Sequence, residues 1–192
     1  MFKGKFSFDR KKLKFDAAVL ESLFKPKAPP LIGADVSSSA IKMVEPAENE
    51  VLANLEAKTK KPSPFFRAMA HRPEALKNFA PFYASIMGPG AVERRIKELV
   101  YLTCSYANEC AFCTAAHVAG GKKAGITDDE LRALQTEQDH GFAPNERAAI
   151  LYARELTQSA SGDETRDALF EHFNDEQVTE ITDGVVYTSL TA

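Results

Sequence analysis

The sequence predicts an all-α fold: a bundle of six or seven helices over residues 46–192, behind an extension over residues 1–45 that is poorly ordered or forms a hairpin. Three observations carry that expectation. Beyond Pro46 apolar residues recur three and four apart, as in Val51, Leu52 and Leu55, which is the period of a helix face. Start and stop signals bracket these runs, such as Thr127-Asp128-Asp129-Glu130 before one and Ala124-Gly125 after another. No alternating strand pattern occurs after Pro46.

A chain of 192 residues can bury one sizeable core and still carry an extension. With 44% hydrophobic and 27% charged residues it has the composition of an ordinary globular protein. No run approaches the roughly 18 apolar residues of a membrane span. The basic start Met1-Phe2-Lys3-Gly4-Lys5 leads into no apolar signal-peptide core. Three cysteines are an odd number, unlike a secreted disulfide framework, so the compartment reads as cytoplasmic and reducing. Through Lys27 there are eight basic and three acidic residues, an excess of +5; with −3 overall, the remainder carries −8. An acidic body argues against a nucleic-acid partner.

In the extension, Asp16–Phe24 sets Val19, Leu20, Leu23 and Phe24 along one side, and Arg10-Lys11-Lys12-Leu13-Lys14 precedes it. That pattern suits contact with an anionic membrane or a partner. A helix this short is marginal in water, and a solvated extension is the plainer reading. Lys25-Pro26-Lys27-Ala28-Pro29-Pro30 reads as a stiff linker. Residues 31–45 then give an apolar run, Asp35, the turn Ser37-Ser38-Ser39 and a second alternating run, which predicts a β-hairpin. The stretch resembles the first phosphate-binding hairpin of actin-like ATPases, especially the cytoplasmic assembly ATPase of type IV pili. The resemblance would set Asp35, Ser37, Ser38 and Lys42 near nucleotide phosphates and metal. The chain holds neither a second phosphate loop nor an adenosine pocket. Residues 1–45 are therefore read as a fusion remnant or an appended interaction segment, for a membrane or pilus partner.

The body follows in order. A helix over Ala47–Lys58 is broken by Lys60-Lys61-Pro62-Ser63-Pro64, and a short helix around Phe65–His71 comes next. Pro73 suits the first turn of the following helix, which carries Leu76, Phe79, Phe82, Tyr83 and Ile86 inward. Gly88-Pro89-Gly90 turns the chain into a helix from about Val92 to Tyr106, with Ile96, Leu99, Val100 and Thr103 on one broad face. Asn108 or Glu109 caps the next helix, which runs to about Lys123. Pro144-Asn145-Glu146 opens a helix through Thr157, and Gly162-Asp163 opens another through Phe173. Asn174-Asp175-Glu176 caps the last, with Val178, Ile181, Val185 and Val186 inward.

The chemistry concentrates in Glu109-Cys110-Ala111-Phe112-Cys113-Thr114-Ala115-Ala116-His117. On a helix, Cys110 and Cys113 stand one above the other within reach of a disulfide. His117 follows Cys113 by four residues and lies on the same face. A thiolate, not a thiol, attacks a peroxide or a disulfide, so such a site must lower a cysteine's pKa. A helix amino terminus favours Cys110, whereas the His117 spacing favours Cys113, and the residues alone do not choose. A Cys-x-x-Cys with a following histidine is also a zinc pattern, but only three ligands lie close and no fourth is evident. Cys104 reads as a core residue, and His71, His140 and His172 as surface or structural.

The pattern Glu98, eleven residues, Cys110-x-x-Cys113-x-x-x-His117 resembles the carboxymuconolactone decarboxylase superfamily, in its alkyl hydroperoxidase D-like branch. Phe66–Glu74, Arg94-Arg95-Ile96-Lys97-Glu98-Leu99 and Ala153–Thr157 agree with it, and the resemblance covers about residues 44–190. It implies a thiol peroxidase in which Cys113 attacks a hydroperoxide, Cys110 resolves it as a disulfide, and His117 with Glu98 moves the proton. It further implies a protein or low-molecular-weight thiol as reductant, no bound cofactor or metal, and assembly into trimers or hexamers. The chain departs from the branch at Phe112, where the best-known members have a second histidine, and at its last helix, which the family usually continues for several turns. One alternative is a decarboxylase-type lyase, which does not depend on a cysteine pair. Another is a non-enzymatic redox sensor or adaptor recruited through residues 1–45.

Overall fold

A computed structural model describes residues 41–60 and 62–191. After a 3-10 turn at Pro46–Glu48 come α1 (Glu50–Thr59), α2 (Pro64–Met69), α3 (Pro73–Met87) and α4 (Arg94–Ala107). They are followed by α5 (Ala111–Lys123), α6 (Asp128–Gln135), α7 (Pro144–Ser159), α8 (Arg166–Phe170) and α9 (Asp175–Thr191). The fold is all-α among the described residues. Nine helices lie among the described residues, against the six or seven expected, and two of them, α2 and α8, are short pieces of six and five residues. Of the predicted hairpin, residues 41–45 form no strand; the Val44 N–H donates to the Arg67 carbonyl at 3.2 Å. The rest of the extension, with Asp35, Ser37 and Ser38, lies outside the described residues. Among those residues no helix is long and apolar enough to cross a membrane.

Local chemistry sets most helix starts. Proline occupies the first turn of α2, α3 and α7, where its missing N–H costs no helical hydrogen bond. The Thr127 hydroxyl and Glu130 carboxylate close a capping box at α6. Asn174 and Gln177 do the same at α9, each side chain accepting the other's backbone N–H at 3.0 and 3.1 Å.

The core is built around α4, which packs against α5, α6, α7 and α9. Every residue from Ile96 to Ser105 is buried, so the one-faced helix expected there is enclosed on all sides. Val100 and Cys104 meet Ala149, Ala153, Ile181 and Val185 on one side; Leu99 and Leu102 meet Ile126, Leu134 and Ile150 on another. A third side turns Tyr101 toward Ile86, Met87, Cys113 and Tyr187. Lys97, also buried, pairs with Glu180 on α9 and donates to the Gly88 carbonyl at 2.6 Å, which fixes the turn before α4. Phe82 and Val186, expected inward, are 44% and 57% exposed. Each neighbours a residue that is at least partly buried, Tyr83 or Val185, and a 100° step along the helix carries it past the edge of the packed stripe.

Candidate active site

The end of α4 positions the dithiol. The Glu109 N–H donates to the Tyr106 carbonyl at 3.0 Å and the Cys110 N–H to the Ser105 carbonyl at 2.9 Å, the paired bonds of a Schellman helix end. Glu109 takes the left-handed position, at φ 53°, that glycine usually fills. The reversal leaves Cys110, not Asn108 or Glu109, as the cap of α5: its Sγ accepts the Cys113 N–H at 3.2 Å. Asn108 instead terminates α4. Cys110 and Cys113 are joined as a disulfide, with Cα atoms 5.4 Å apart. Cys113 is buried, and its Sγ lies 3.8 Å from the Thr191 carbonyl, so the end of α9 reaches the sulfur pair. Cys104, the third cysteine, is fully buried among Ala149, Ala153, Ile181 and Val185, and burial pushes its thiol up to about 12.

Glu98 and His117 meet across the α4–α5 contact. His117 Nδ1 is 2.8 Å from Glu98 Oε2, and both side chains are buried. Burial works against ionisation of Glu98, but hydrogen bonds and charge from His117 and Arg94 outweigh it and hold its carboxyl below the usual range. An ionised carboxylate only accepts, so Nδ1 carries the hydrogen, which in the neutral tautomer leaves Nε2 as the acceptor. Arg94, four residues before Glu98, donates from Nε to Glu98 Oε1 at 2.9 Å and from its other nitrogens to Oε1 and to the Met87 carbonyl. The carboxylate is thereby fixed with one oxygen on arginine and the other on histidine. Gly120 makes room for it: a Cβ there would stand 2.5 Å from Glu98 Oε1.

Three tyrosines complete the surroundings. The Tyr101 ring stacks on the His117 ring with centroids 3.4 Å apart and planes 14° from parallel. Tyr83 Oη lies 3.3 Å from His117 Nε2, its ring edge-on to the imidazole. Tyr187 stacks on Tyr83 at 5.0 Å. Burial first, and the neighbouring Tyr101 and Glu98 after it, push the Tyr83 hydroxyl up to about 12. The structure thus brings together all four residues singled out in the sequence: Glu98, Cys110, Cys113 and His117. It adds Arg94, Tyr83, Tyr101 and Tyr187. Arg94 was readable from its i, i+4 spacing to Glu98, whereas the tyrosines carried no signal beyond packing. Phe112, in the departure position, is 36% exposed. Among the described residues no group of three or more His, Cys, Asp or Glu is placed to hold a metal ion.

The sequence profile of the carboxymuconolactone decarboxylase family matches residues 73–155, the run from α3 into α7 that holds all four site residues. That match spans less than half of the chain, and over it the chain is similar to the family. It is 28% identical over 95 residues to the uncharacterized protein YdfG of Bacillus subtilis, a match covering 47% of this chain and 65% of that relative. The fold is similar to that of a peroxidase-related protein from Silicibacter sp. TM1040, with a TM-score of 0.68 and 20% identity over 87% of this chain and 88% of that one. It is equally similar to the alkylhydroperoxidase AhpD core of a peroxidase-related protein from Ralstonia eutropha JMP134, with a TM-score of 0.67 and 21% identity over 78% and 84% of the two chains. The described helices thus share the fold of these peroxidase-related proteins.

Proposed function

We propose that this protein is a thiol-dependent peroxidase. One observation carries the reading: a Cys110–Cys113 disulfide sits at the start of the helix whose His117 is bound to the ionised, buried Glu98. In the reduced state the Cys113 thiolate attacks a hydroperoxide oxygen. The S–O bond forms as the O–O bond breaks, and the departing alkoxide takes a proton held at His117, giving an alcohol. The Cys110 sulfur then attacks the Cys113 sulfenic acid, expelling water and forming the disulfide. Two electrons from a protein or low-molecular-weight thiol regenerate the pair, as a reducing cytoplasm would allow. Family resemblance supports Cys113 as the attacking sulfur, as does its place on the same helix as His117. Exposed Val186 and Leu190, four residues apart on α9, support assembly into a homo-oligomer.

The test is a free-thiol count by mass spectrometry before and after one equivalent of hydroperoxide. Wild type should lose two thiols as a Cys110–Cys113 disulfide and keep Cys104 free, while Cys113→Ser forms no such bond. Survival of the wild-type thiols would remove the peroxidase reading and leave the lyase as the next assay.

A further inference from the structure

Glu98 occupies one nitrogen of His117, so any proton the ring exchanges must pass through the other. That second nitrogen does not face open space. Its partner is the Tyr83 hydroxyl, at 3.3 Å, and Tyr83 packs into the apolar cluster that holds Cys110 and Cys113. With Nδ1 carrying its hydrogen, Nε2 of the neutral ring accepts, so Tyr83 donates and keeps its oxygen lone pairs for a further donor. The stack of Tyr101 beneath the imidazole and of Tyr187 on Tyr83 fixes both rings in this arrangement.

We propose that Tyr83 is the proton-carrying link between His117 and the dithiol, so that the chain Arg94–Glu98–His117 ends in a phenol rather than in an imidazole facing the sulfur. To activate the site, the Cys113 thiol gives its proton to Tyr83 Oη as the Tyr83 O–H passes its own to His117 Nε2. The result is a thiolate, a neutral phenol and an imidazolium paired with Glu98. When peroxide is attacked, the same two transfers run backwards and the proton arrives on the departing alkoxide. No charge rests on the phenol at any stage, in keeping with a hydroxyl that burial keeps protonated at neutral pH. The ionisable groups around this path are Arg94, Glu98 and Tyr101 from α4, Tyr187 from α9 and the cysteines with His117 from α5.

The proposal rests on the dithiol reading above, but its test uses no peroxide. The rate of Cys113 alkylation by iodoacetamide, read by peptide mass spectrometry, is followed against pH for reduced wild type, Tyr83→Phe, His117→Gln and the double variant. Tyr83→Phe keeps the ring and its stacks, and circular dichroism confirms that it folds. Its alkylation midpoint should rise by about one pH unit, corresponding to a tenfold loss of thiolate at a fixed pH on the flank. The double variant should match His117→Gln alone, since both act on one path. An unmoved midpoint in folded Tyr83→Phe, or losses that multiply in the double variant, would overturn the proposal. A raised midpoint in a protein inert to hydroperoxide would retain the relay and sink the peroxidase. Wild-type peroxide turnover in Tyr83→Phe would do the reverse.

Discussion

Arg94 and Arg95 are neighbours on α4, yet they anchor two networks of opposite character. Arg95 is held through all three of its nitrogens: Nε donates to Glu146 at 2.6 Å, Nη2 to Glu130 at 2.6 Å and Nη1 to the Gly125 carbonyl at 2.7 Å. Its partners accept and pass nothing on. Glu130 and Glu146 themselves receive the backbone N–H groups of Thr127 and Ala143, so this network fastens the starts of α6 and α7 to α4. Arg94 fixes one oxygen of Glu98, but the other oxygen holds a histidine, and the histidine meets a hydroxyl. Both networks use an arginine and buried or half-buried carboxylates. What separates a clasp from a site is whether the chain of contacts ends in an acceptor or in a group that can exchange a proton.

The largest effect expected comes from removing the sulfur while leaving both networks whole. Cys113→Ser should reduce peroxide turnover to background, a loss of more than about a thousandfold, with little change in melting temperature. Retained turnover in that variant would mean that the chemistry lies elsewhere. A sharper comparison makes the same change in each network. Glu98→Gln keeps the shape but withdraws the charge that orients His117, and should lower the peroxide rate by about 100-fold. Glu130→Gln should leave the rate alone and cost about 1 kcal/mol of unfolding free energy. If both variants lost activity alike, the distinction between clasp and site would fail.

Gly120→Ala separates space from propensity. Alanine in a helix interior gains about 1 kcal/mol over glycine where nothing obstructs it. Here the new methyl would meet Glu98 Oε1 at 2.5 Å. The carboxylate must shift off His117 or Arg94, so a rate loss of about tenfold with no gain in stability is expected. Steady-state kinetics and a thermal melt read both; a variant that is more stable and fully active would show the cradle to be loose.

How much of this was legible depends on which contacts run along the chain. Helix boundaries at Pro73, Thr127 and Asn174 follow from residues within one turn of each other, and the structure keeps them. The meeting of Glu98 with His117 was reached through the spacing of a known motif, not from physics alone. Glu109 hid the true cap of α5, since a left-handed helix end normally announces itself by glycine and here a glutamate takes it. Tyr83 was readable only as an inward aromatic. Its role depends on which atom of a neighbouring helix it meets, and helical periodicity carries no such information. The burial of α4 on every side, Lys97 included, likewise required knowing how many helices surround it.

The smallest effect on activity is expected from Arg95→Ala, and here the discriminating readout is stability against pH. Activity per folded molecule should be unchanged. Unfolding free energy at neutral pH should fall by about 2 kcal/mol, less than the roughly 3–5 kcal/mol of a fully buried pair, because Arg95 keeps 23% of its side chain exposed. Burial alone would raise the Glu130 carboxyl, but the Arg95 and Thr127 hydrogen bonds outweigh it and leave it lowered. A lowered folded-state pKa contributes stability above the unfolded value of about 4.3 and loses it as pH falls through the folded value. Urea titrations should therefore show a constant gap between wild type and Arg95→Ala from pH 6 to 8, as expected for carboxylates fully ionised over that range. Below about pH 4.3 the gap should narrow, as protonation of Glu130 removes in wild type what the substitution has already removed. A gap that stayed wide in acid would mean that Arg95 acts through its packed stem rather than its charge. A fall in peroxide rate would mean that the two arginines serve one network after all.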